Sequence, residues 1–175
     1  IIISTKKIFF NKLIKILFDN NLGKVTKIIE GGERRMDSVY NALINLNCKK
    51  NDFVIIHDAV RPFVSKELIQ RLIKETKKFN SVIPGMLIND TVKRTDKKLV
   101  VQNTIPRENL YSIQTPQVFR YDVLVKSFEK AYRDNYIGTD EAAIVEYAGY
   151  KIKLIEGEAS NIKITVKEDL KYFKN

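Results

Sequence analysis

The feature that most constrains this chain is an alternation. Short, β-branched apolar runs recur between segments whose apolar residues repeat at helical spacing. Ile1–Ile3 reads as a strand end. Ile8 to Phe18 reads as a helix, stopped by Asn20-Asn21-Leu22-Gly23. Val25–Ile29 is a strand running into Gly31-Gly32, and Met36 to Leu46 is a helix with Val39, Leu43 and Leu46 on one face. Phe53–Ile56 is apolar throughout, as in a strand covered on both sides. Ser65 is a good N-cap for a helix carrying Leu68, Leu72 and Ile73. Ser81–Ile83 begins a strand that Pro84-Gly85 interrupts. This order predicts an α/β fold with a parallel sheet sandwiched by helices.

The alternation then breaks. Thr91–Arg94 and Leu99–Val101 are short extended runs joined by Thr95-Asp96-Lys97-Lys98, a hairpin with polar faces. So little apolar surface cannot stabilise a hairpin alone, so the segment 87–113 is expected to be an arm packed on a second subunit. A helix from about Tyr121 to Tyr132 follows Gln114-Thr115-Pro116-Gln117. Thr139 is expected to cap another, Asp140 to Tyr147, closed by Gly149. Lys151–Ile155 and Ile162–Thr165 read as strands, and Glu168–Phe173 as a short terminal helix. No linker or repeat divides the chain, so residues 1–175 are expected to form one domain bearing the arm.

Composition narrows the function classes. With 175 residues, 44% hydrophobic and 30% charged, the chain can bury a core. No apolar run approaches the roughly 20 residues of a membrane span. The lone Cys48 excludes an internal disulfide framework and a Cys-rich zinc site. A cytoplasmic location, with no membrane partner, is the expectation. The net charge of +10 comes from 31 Lys+Arg against 21 Asp+Glu. These cations are scattered, without an aromatic stripe or a basic tail, so nucleic acid is not the expected partner. A basic cleft for small phosphorylated substrates suits them equally with a solvated surface.

Four clusters stand at strand ends or loop starts, where ligands of open α/β sheets bind. Gly31-Gly32-Glu33-Arg34-Arg35-Met36-Asp37-Ser38 either lets backbone approach a ligand or is an ordinary turn into a capped helix. In His57-Asp58-Ala59-Val60-Arg61-Pro62, Asp58 follows a buried strand and needs a partner. It either holds Mg²⁺ or a hydroxyl, or pairs with Arg61. His57 reads as structural, because no Ser or Cys nucleophile stands in an elbow near it. Asn89-Asp90-Thr91, Arg107 and Gln114-Thr115-Pro116-Gln117 span the arm. In Asn161-Ile162-Lys163, Lys163 either faces an anionic substrate or protects a sheet edge.

Six motifs then fall in one order: Gly-Gly-x-x-Arg-x-Asp-Ser (31–38), His-Asp-Ala-x-Arg-Pro (57–62), Asp-Thr-x-Lys-Arg (90–94), Gln-Thr-Pro-Gln (114–117), Thr-Asp-Glu-Ala (139–142) and Glu-Gly-x-x-x-Asn-Ile-Lys-Ile-Thr (156–165). Each is weak alone, but the set resembles the 2-C-methyl-D-erythritol 4-phosphate cytidylyltransferases of the non-mevalonate isoprenoid pathway across essentially the whole chain. The resemblance implies a Rossmann-like nucleotidyltransferase three-layer sandwich with a protruding β-arm that interlocks in a homodimer. It implies transfer of CMP from CTP to a polyol phosphate, with Mg²⁺. By motif position, Gly32, Glu33 and Ser38 would hold the cytosine and ribose side of CTP, with Arg35 supporting their loop. Asp58 and Ala59 would lie beside ribose and substrate, Asp58 also reaching the metal region, and Arg61 would line the same pocket. Thr91, Arg107 and Thr115 would sit on the arm segment that reaches the neighbouring subunit's site, where Arg107 would position the substrate phosphate. Thr139 and Lys163 would complete the site, Lys163 near the reacting phosphates.

Two departures accompany the resemblance. The family opens with a glycine-rich loop carrying an Arg, with a Lys shortly after, and this chain starts at Ile1 in what resembles the family's second strand. The fold is therefore expected to be N-terminally truncated. A polypeptide of these residues alone is expected to lack useful turnover and to remain a nucleotide-binding fragment. Ile105-Pro106-Arg107-Glu108-Asn109-Leu110-Tyr111 is also similar to the ribitol-5-phosphate cytidylyltransferases of teichoic acid synthesis, the alternative substrate class.

Overall fold

The computed structural model describes residues 1–173. The chain forms two compact units: Ile1–Val54 with Phe119–Ile152, and Ile55–Val118 with the chain from Lys153 onward.

In the first unit, β1 (Ile2–Thr5) and β2 (Lys27–Glu30) pair in parallel, Ile3 opposite Ile28. A 3-10 turn (Lys7–Phe9) and α1 (Phe10–Asp19) connect them. The apolar residues of α1 repeat as anticipated, yet the helix buries no residue, and Ile14, Ile16 and Phe18 are exposed. Helix α2 (Arg35–Ile44) packs on β1 and β2 and buries Met36 and Leu43. The main apolar core of this unit lies on α4 (Tyr121–Arg133) and α5 (Glu141–Tyr147). Leu124, Phe128 and Ala131 recur at helical spacing on α4, and all are fully buried beside Ile144 and Val145 of α5. Tyr40 of α2 stacks on Phe128, ring centroids 5.6 Å apart. Asp140, not Thr139, caps α5, accepting a 2.9 Å bond from the Ala143 amide. Its carboxylate is also the better match for the positive end of the helix dipole.

The chain passes into the second unit within β3 (Phe53–Ile56) and returns within β8 (Gln117–Arg120). The sheet here runs β3-β8-β4-β7, with β9 (Lys153–Glu156) also on β4 (Ser81–Leu87). Strands β4 and β9 are parallel, as expected, and β7 (Tyr111–Ile113) is antiparallel to β4. Helix α3 (Lys66–Phe79) packs on β4 and β9 through Leu68 and Leu72. Ser65 caps it, accepting from the Leu68 amide at 2.9 Å.

Pro84 does not end β4. The strand continues to Leu87, because Pro84 is asked only to accept: its carbonyl takes the Gln114 amide at 2.9 Å. Gly85 is needed for closeness, since an added Cβ would lie 3.1 Å from Leu154 and 3.2 Å from Ile113. Residues 162–165 form no strand. Asn161 is tied down by side-chain bonds, and the segment joins the neighbouring loop through a 2.8 Å bond from the Ile164 amide to the Val60 carbonyl. The hairpin is present as β5 (Val92–Thr95) and β6 (Val101–Ile105), antiparallel, with Lys93 opposite Thr104. Both strands are almost wholly exposed, as are Leu99 and Val100 at the turn.

Candidate active site

In the first unit, the Gly31–Ser38 segment is held by its own helix start. Strand β2 delivers Gly31, whose amide bonds the Thr5 carbonyl at 2.9 Å. Gly32 admits no side chain: a Cβ would stand 2.3 Å from that of Asp37. The Ser38 hydroxyl accepts from the Gly32 amide at 3.0 Å and donates to the Arg34 carbonyl at 3.2 Å. The glycine pair therefore serves packing against α2 as well as leaving backbone uncovered.

Behind this loop stand two ion pairs. Asp37 accepts the Arg34 amide at 3.1 Å and the Arg34 guanidinium at 2.9 and 2.8 Å, closing a turn at the start of α2. The Tyr132 hydroxyl of α4 adds a fourth hydrogen bond at 2.8 Å. The Arg34 hydrogen bonds hold the Asp37 carboxyl well below its usual range, and burial beside that carboxylate pushes the Tyr132 phenol up. Arg35 makes a forked pair with Glu141 at 2.7 and 2.9 Å. Glu141 is fully buried, and burial raises its pKa against the opposing pull of Arg35. Arg35 is thus a brace reaching from the loop to α5, in keeping with a supporting role. Glu33 and Thr139 are exposed in the same unit.

In the second unit, β3 and β9 each end in a loop that carries a charged group to one cluster. Lys163 Nζ lies 3.1 Å from Asp58 Oδ2, with the carboxylate 16% and the lysine 45% exposed. Asp58 thus pairs with Lys163, and Arg61, which also feels the Asp58 charge, donates through its guanidinium to the Asn161 carbonyl at 2.8 Å. Burial lowers the Arg61 pKa, and its Nε is buried without a hydrogen-bond partner among the described residues. Thr115, at the end of the loop before β8, accepts the Asp58 amide on Oγ1 at 3.0 Å and meets His57 Nδ1 at 3.1 Å. Ala59 is exposed beside them.

Two side chains that organise this cluster were not among the expected site residues. Asn161 is completely buried and donates to the Thr115 carbonyl at 2.8 Å and to Gln114 Oε1 at 3.3 Å. Gln114 in turn donates to the Glu158 carbonyl at 2.9 Å. Gly157 makes room for it, because a Cβ there would meet Gln114 Oε1 at 2.5 Å. The sequence carries one signal for Asn161: it stands between Ser160 and Ile162, three residues after Glu158, and an amide there is costly to bury unless a polar partner is built for it.

Thr91 and Arg107 stand outside this hydrogen-bonded cluster. Both are exposed, and Arg107 donates to the Asn89 carbonyl across the base of the hairpin. The structure thus joins Asp58, Thr115 and Lys163, with Arg61 linked through Asn161, in one unit. It joins Gly32, Ser38 and Arg35 at one helix start in the other. Among the described residues no group of three or more His, Cys, Asp or Glu side chains could hold a metal. Chemically, a lysine held on a carboxylate at a loop, with buried donors behind it, can receive a phosphate and orient hydroxyls.

Comparison with known proteins bears on what that anion is. The family model described as IspD, 2-C-methyl-D-erythritol 4-phosphate cytidylyltransferase, matches residues 1–174. The chain is 43% identical over 156 residues to the enzyme of that name from Clostridium botulinum (strain Eklund 17B / Type B), covering 89% of this chain and 69% of the relative. It is 46% identical over 156 residues to that of Dictyoglomus thermophilum, covering 87% and 66%. The chain thus spans about two thirds of the length of these curated relatives. Among solved structures, the 4-diphosphocytidyl-2C-methyl-D-erythritol synthase of Anaerococcus prevotii superposes with a TM-score of 0.86 at 31% identity, over 99% of this chain and 81% of that one. Each of these carries the erythritol name, and none supports the ribitol alternative.

Proposed function

This chain belongs to the 2-C-methyl-D-erythritol 4-phosphate cytidylyltransferase family, and from that premise we propose that it serves transfer of CMP from CTP to 2-C-methyl-D-erythritol 4-phosphate. The step belongs to isoprenoid precursor synthesis by the non-mevalonate route. A phosphate oxygen of the polyol attacks the α-phosphorus of CTP. A new P–O bond forms, the α–β P–O bond breaks, and pyrophosphate leaves. The nucleophile needs no base, since the second pKa of a phosphate monoester is roughly 6. The barrier is the meeting of two polyanions, which placed cations lower.

The observation that carries this reading is the Asp58–Lys163–Thr115 cluster, with Arg61 fixed beside it. In this reading Lys163 leaves Asp58 for the incoming phosphate, and Asp58 turns to substrate hydroxyls. Ala59 lies by the ribose, while Thr91, Thr115 and Thr139 contact substrate and Arg107 positions its phosphate. Gly32, Glu33 and Ser38 hold the cytidine through backbone and short side chains, and Arg35 acts behind them through Glu141. The donor set suits Mg²⁺ only as an ion carried on a triphosphate: Asp58 is the candidate carboxylate, and phosphate oxygens would supply the other ligands. Bound there, Mg²⁺ would neutralise triphosphate charge.

A homodimer joined through the β5–β6 arm is part of the same proposal. Exposed Leu99, Val100 and Val101 on a hairpin too small to be stable alone support it. A cytoplasmic location, with CTP and the polyol phosphate as partners, completes it. Among the described residues no helix is long and apolar enough to cross a membrane. The direct test is phosphorus NMR of the full-length protein, as its gene encodes it, with CTP, Mg²⁺ and 2-C-methyl-D-erythritol 4-phosphate. The reading expects pyrophosphate and a new mixed diphosphate. CTP left intact, or transfer to ribitol 5-phosphate in preference, would overturn it.

A further inference from the structure

His57 has both ring nitrogens engaged, although the residue keeps an exposed face. Nε2 lies 2.9 Å from the Arg61 carbonyl oxygen, and Nδ1 lies 3.1 Å from Thr115 Oγ1. A carbonyl can only accept, so Nε2 must carry the proton. A neutral ring then has a lone pair on Nδ1, and the Thr115 hydroxyl must donate to it. That hydroxyl is free to do so, because it already accepts the Asp58 amide. The other neutral tautomer would press the Nε2 lone pair against the Arg61 carbonyl. The chain Asp58 amide, Thr115 hydroxyl, His57 ring and Arg61 carbonyl is thus satisfied by the Nε2–H tautomer, with the Thr115 backbone also lying against the ring.

The chain of bonds closes a loop. Asp58 and Arg61 belong to one turn, itself bridged by a 2.9 Å bond from the Arg61 amide to the Asp58 carbonyl. His57 fastens the far end of that turn by the Arg61 carbonyl and the near end, through Thr115, by the Asp58 amide. We propose that His57, held as the Nε2–H tautomer, is a positioning residue that clamps the Asp58–Arg61 turn and so fixes the groups meeting the polyol phosphate. This rests on the reading of the cluster as the polyol phosphate site. His57 touches no reacting atom; it acts through Thr115 and the turn.

Because His57 is the one histidine in the sequence, nitrogen NMR of the ¹⁵N-histidine-labelled protein reads it without assignment. At pH 7.5 the expected signal is a single Nε2-protonated tautomer with an accepting Nδ1. Thr115→Val should shift the Nδ1 resonance by removing its donor, and Thr115→Ser should restore it. An Nδ1-protonated ring, a freely exchanging tautomer mixture, or indifference to Thr115→Val would overturn the clamp.

The functional arm is calorimetric binding of 2-C-methyl-D-erythritol 4-phosphate in the presence of Mg²⁺ and α,β-methylene CTP. His57→Ala should weaken it about tenfold, roughly 1.4 kcal/mol. His57→Gln, which can keep a donor toward the Arg61 carbonyl, should recover part of the loss. Unchanged polyol phosphate affinity in His57→Ala would overturn the positioning role while leaving the functional reading intact. A wild-type protein that binds neither ligand would overturn that reading, and the substrate-side role with it. Should His57→Ala fail to fold, the Thr115 pair still decides the clamp.

Discussion

At the scale of single residues, charge placement separates groups that serve stability from groups that serve ligands. Lys163 and Asp58 form a pair that solvent reaches from the lysine side. Such pairs add at most about 1 kcal/mol to stability, so Lys163→Ala should hardly move the urea midpoint. It should lower kcat/KM about a hundredfold, the scale expected when one stabilising cation is removed from a reacting phosphate. Steady-state kinetics beside urea melts would check both halves. Equal losses in the two would make Lys163 a structural lysine.

Glu141 is the opposite case. It is fully buried on the Arg35 fork, and removing one partner of a buried pair is costly. Arg35 keeps partial solvent access, so the expected loss for Glu141→Ala is about 2–3 kcal/mol, below the full buried-pair figure. The pH dependence has two signs. Asp37 has a lowered pKa in the folded state, so its contribution is full above the ordinary Asp range and is lost as pH falls below it. Glu141 has a raised pKa, so the folded state holds its proton more tightly, and its contribution weakens as pH rises through the range above 4.5. Asp37→Asn should therefore flatten the acid limb of stability, and Glu141→Gln the limb above it. Thermal melts from pH 3 to 7 would reveal either change, and parallel curves for all three proteins would refute the assignment.

At the scale of elements, the β5–β6 arm carries the clearest prediction. Its exposed apolar residues cluster at one end: Leu99, Val100 and Val101. Replacing Leu99 and Val101 with Glu should convert a dimer to a monomer in sedimentation velocity at micromolar concentration. It should leave the melting of the remaining chain nearly unchanged, since those side chains bury little within one subunit. A wild type that sediments as a monomer would remove the dimer from the account. Helix α3 offers a smaller test. Ser65 both caps it and donates to Glu158 at 2.8 Å, so Ser65→Ala should cost about 1–2 kcal/mol in urea unfolding.

Across the molecule, legibility followed locality. Strand β3 was readable to the residue because four apolar residues in a row leave one extended solution. Helices α3 and α4 followed from 3.6-residue periodicity and from Ser65. Strands β7 and β8 were not read, because three- and four-residue strands flanked by polar loops have no periodicity of their own and exist through β4. Strand β4 looked interrupted because Pro84 is a local stop signal, and only the tertiary partner reveals that its carbonyl alone is used. The residues proposed to meet the ligands are legible as motifs. Of their holders, Asn161 alone carries a local signal, while Gln114 and Glu141 act through long-range partners that no local pattern names.

On the proposed function, Lys163, aimed by Asp58 and the Thr115 loop, receives the phosphate of the polyol. Titration calorimetry with 2-C-methyl-D-erythritol 4-phosphate, Mg²⁺ and α,β-methylene CTP tests it most directly, comparing wild type with Lys163→Ala and Lys163→Arg. Saturable binding by the wild type, weakened at least tenfold in Lys163→Ala and partly restored in Lys163→Arg, is the predicted result. Identical isotherms for wild type and Lys163→Ala would contradict it.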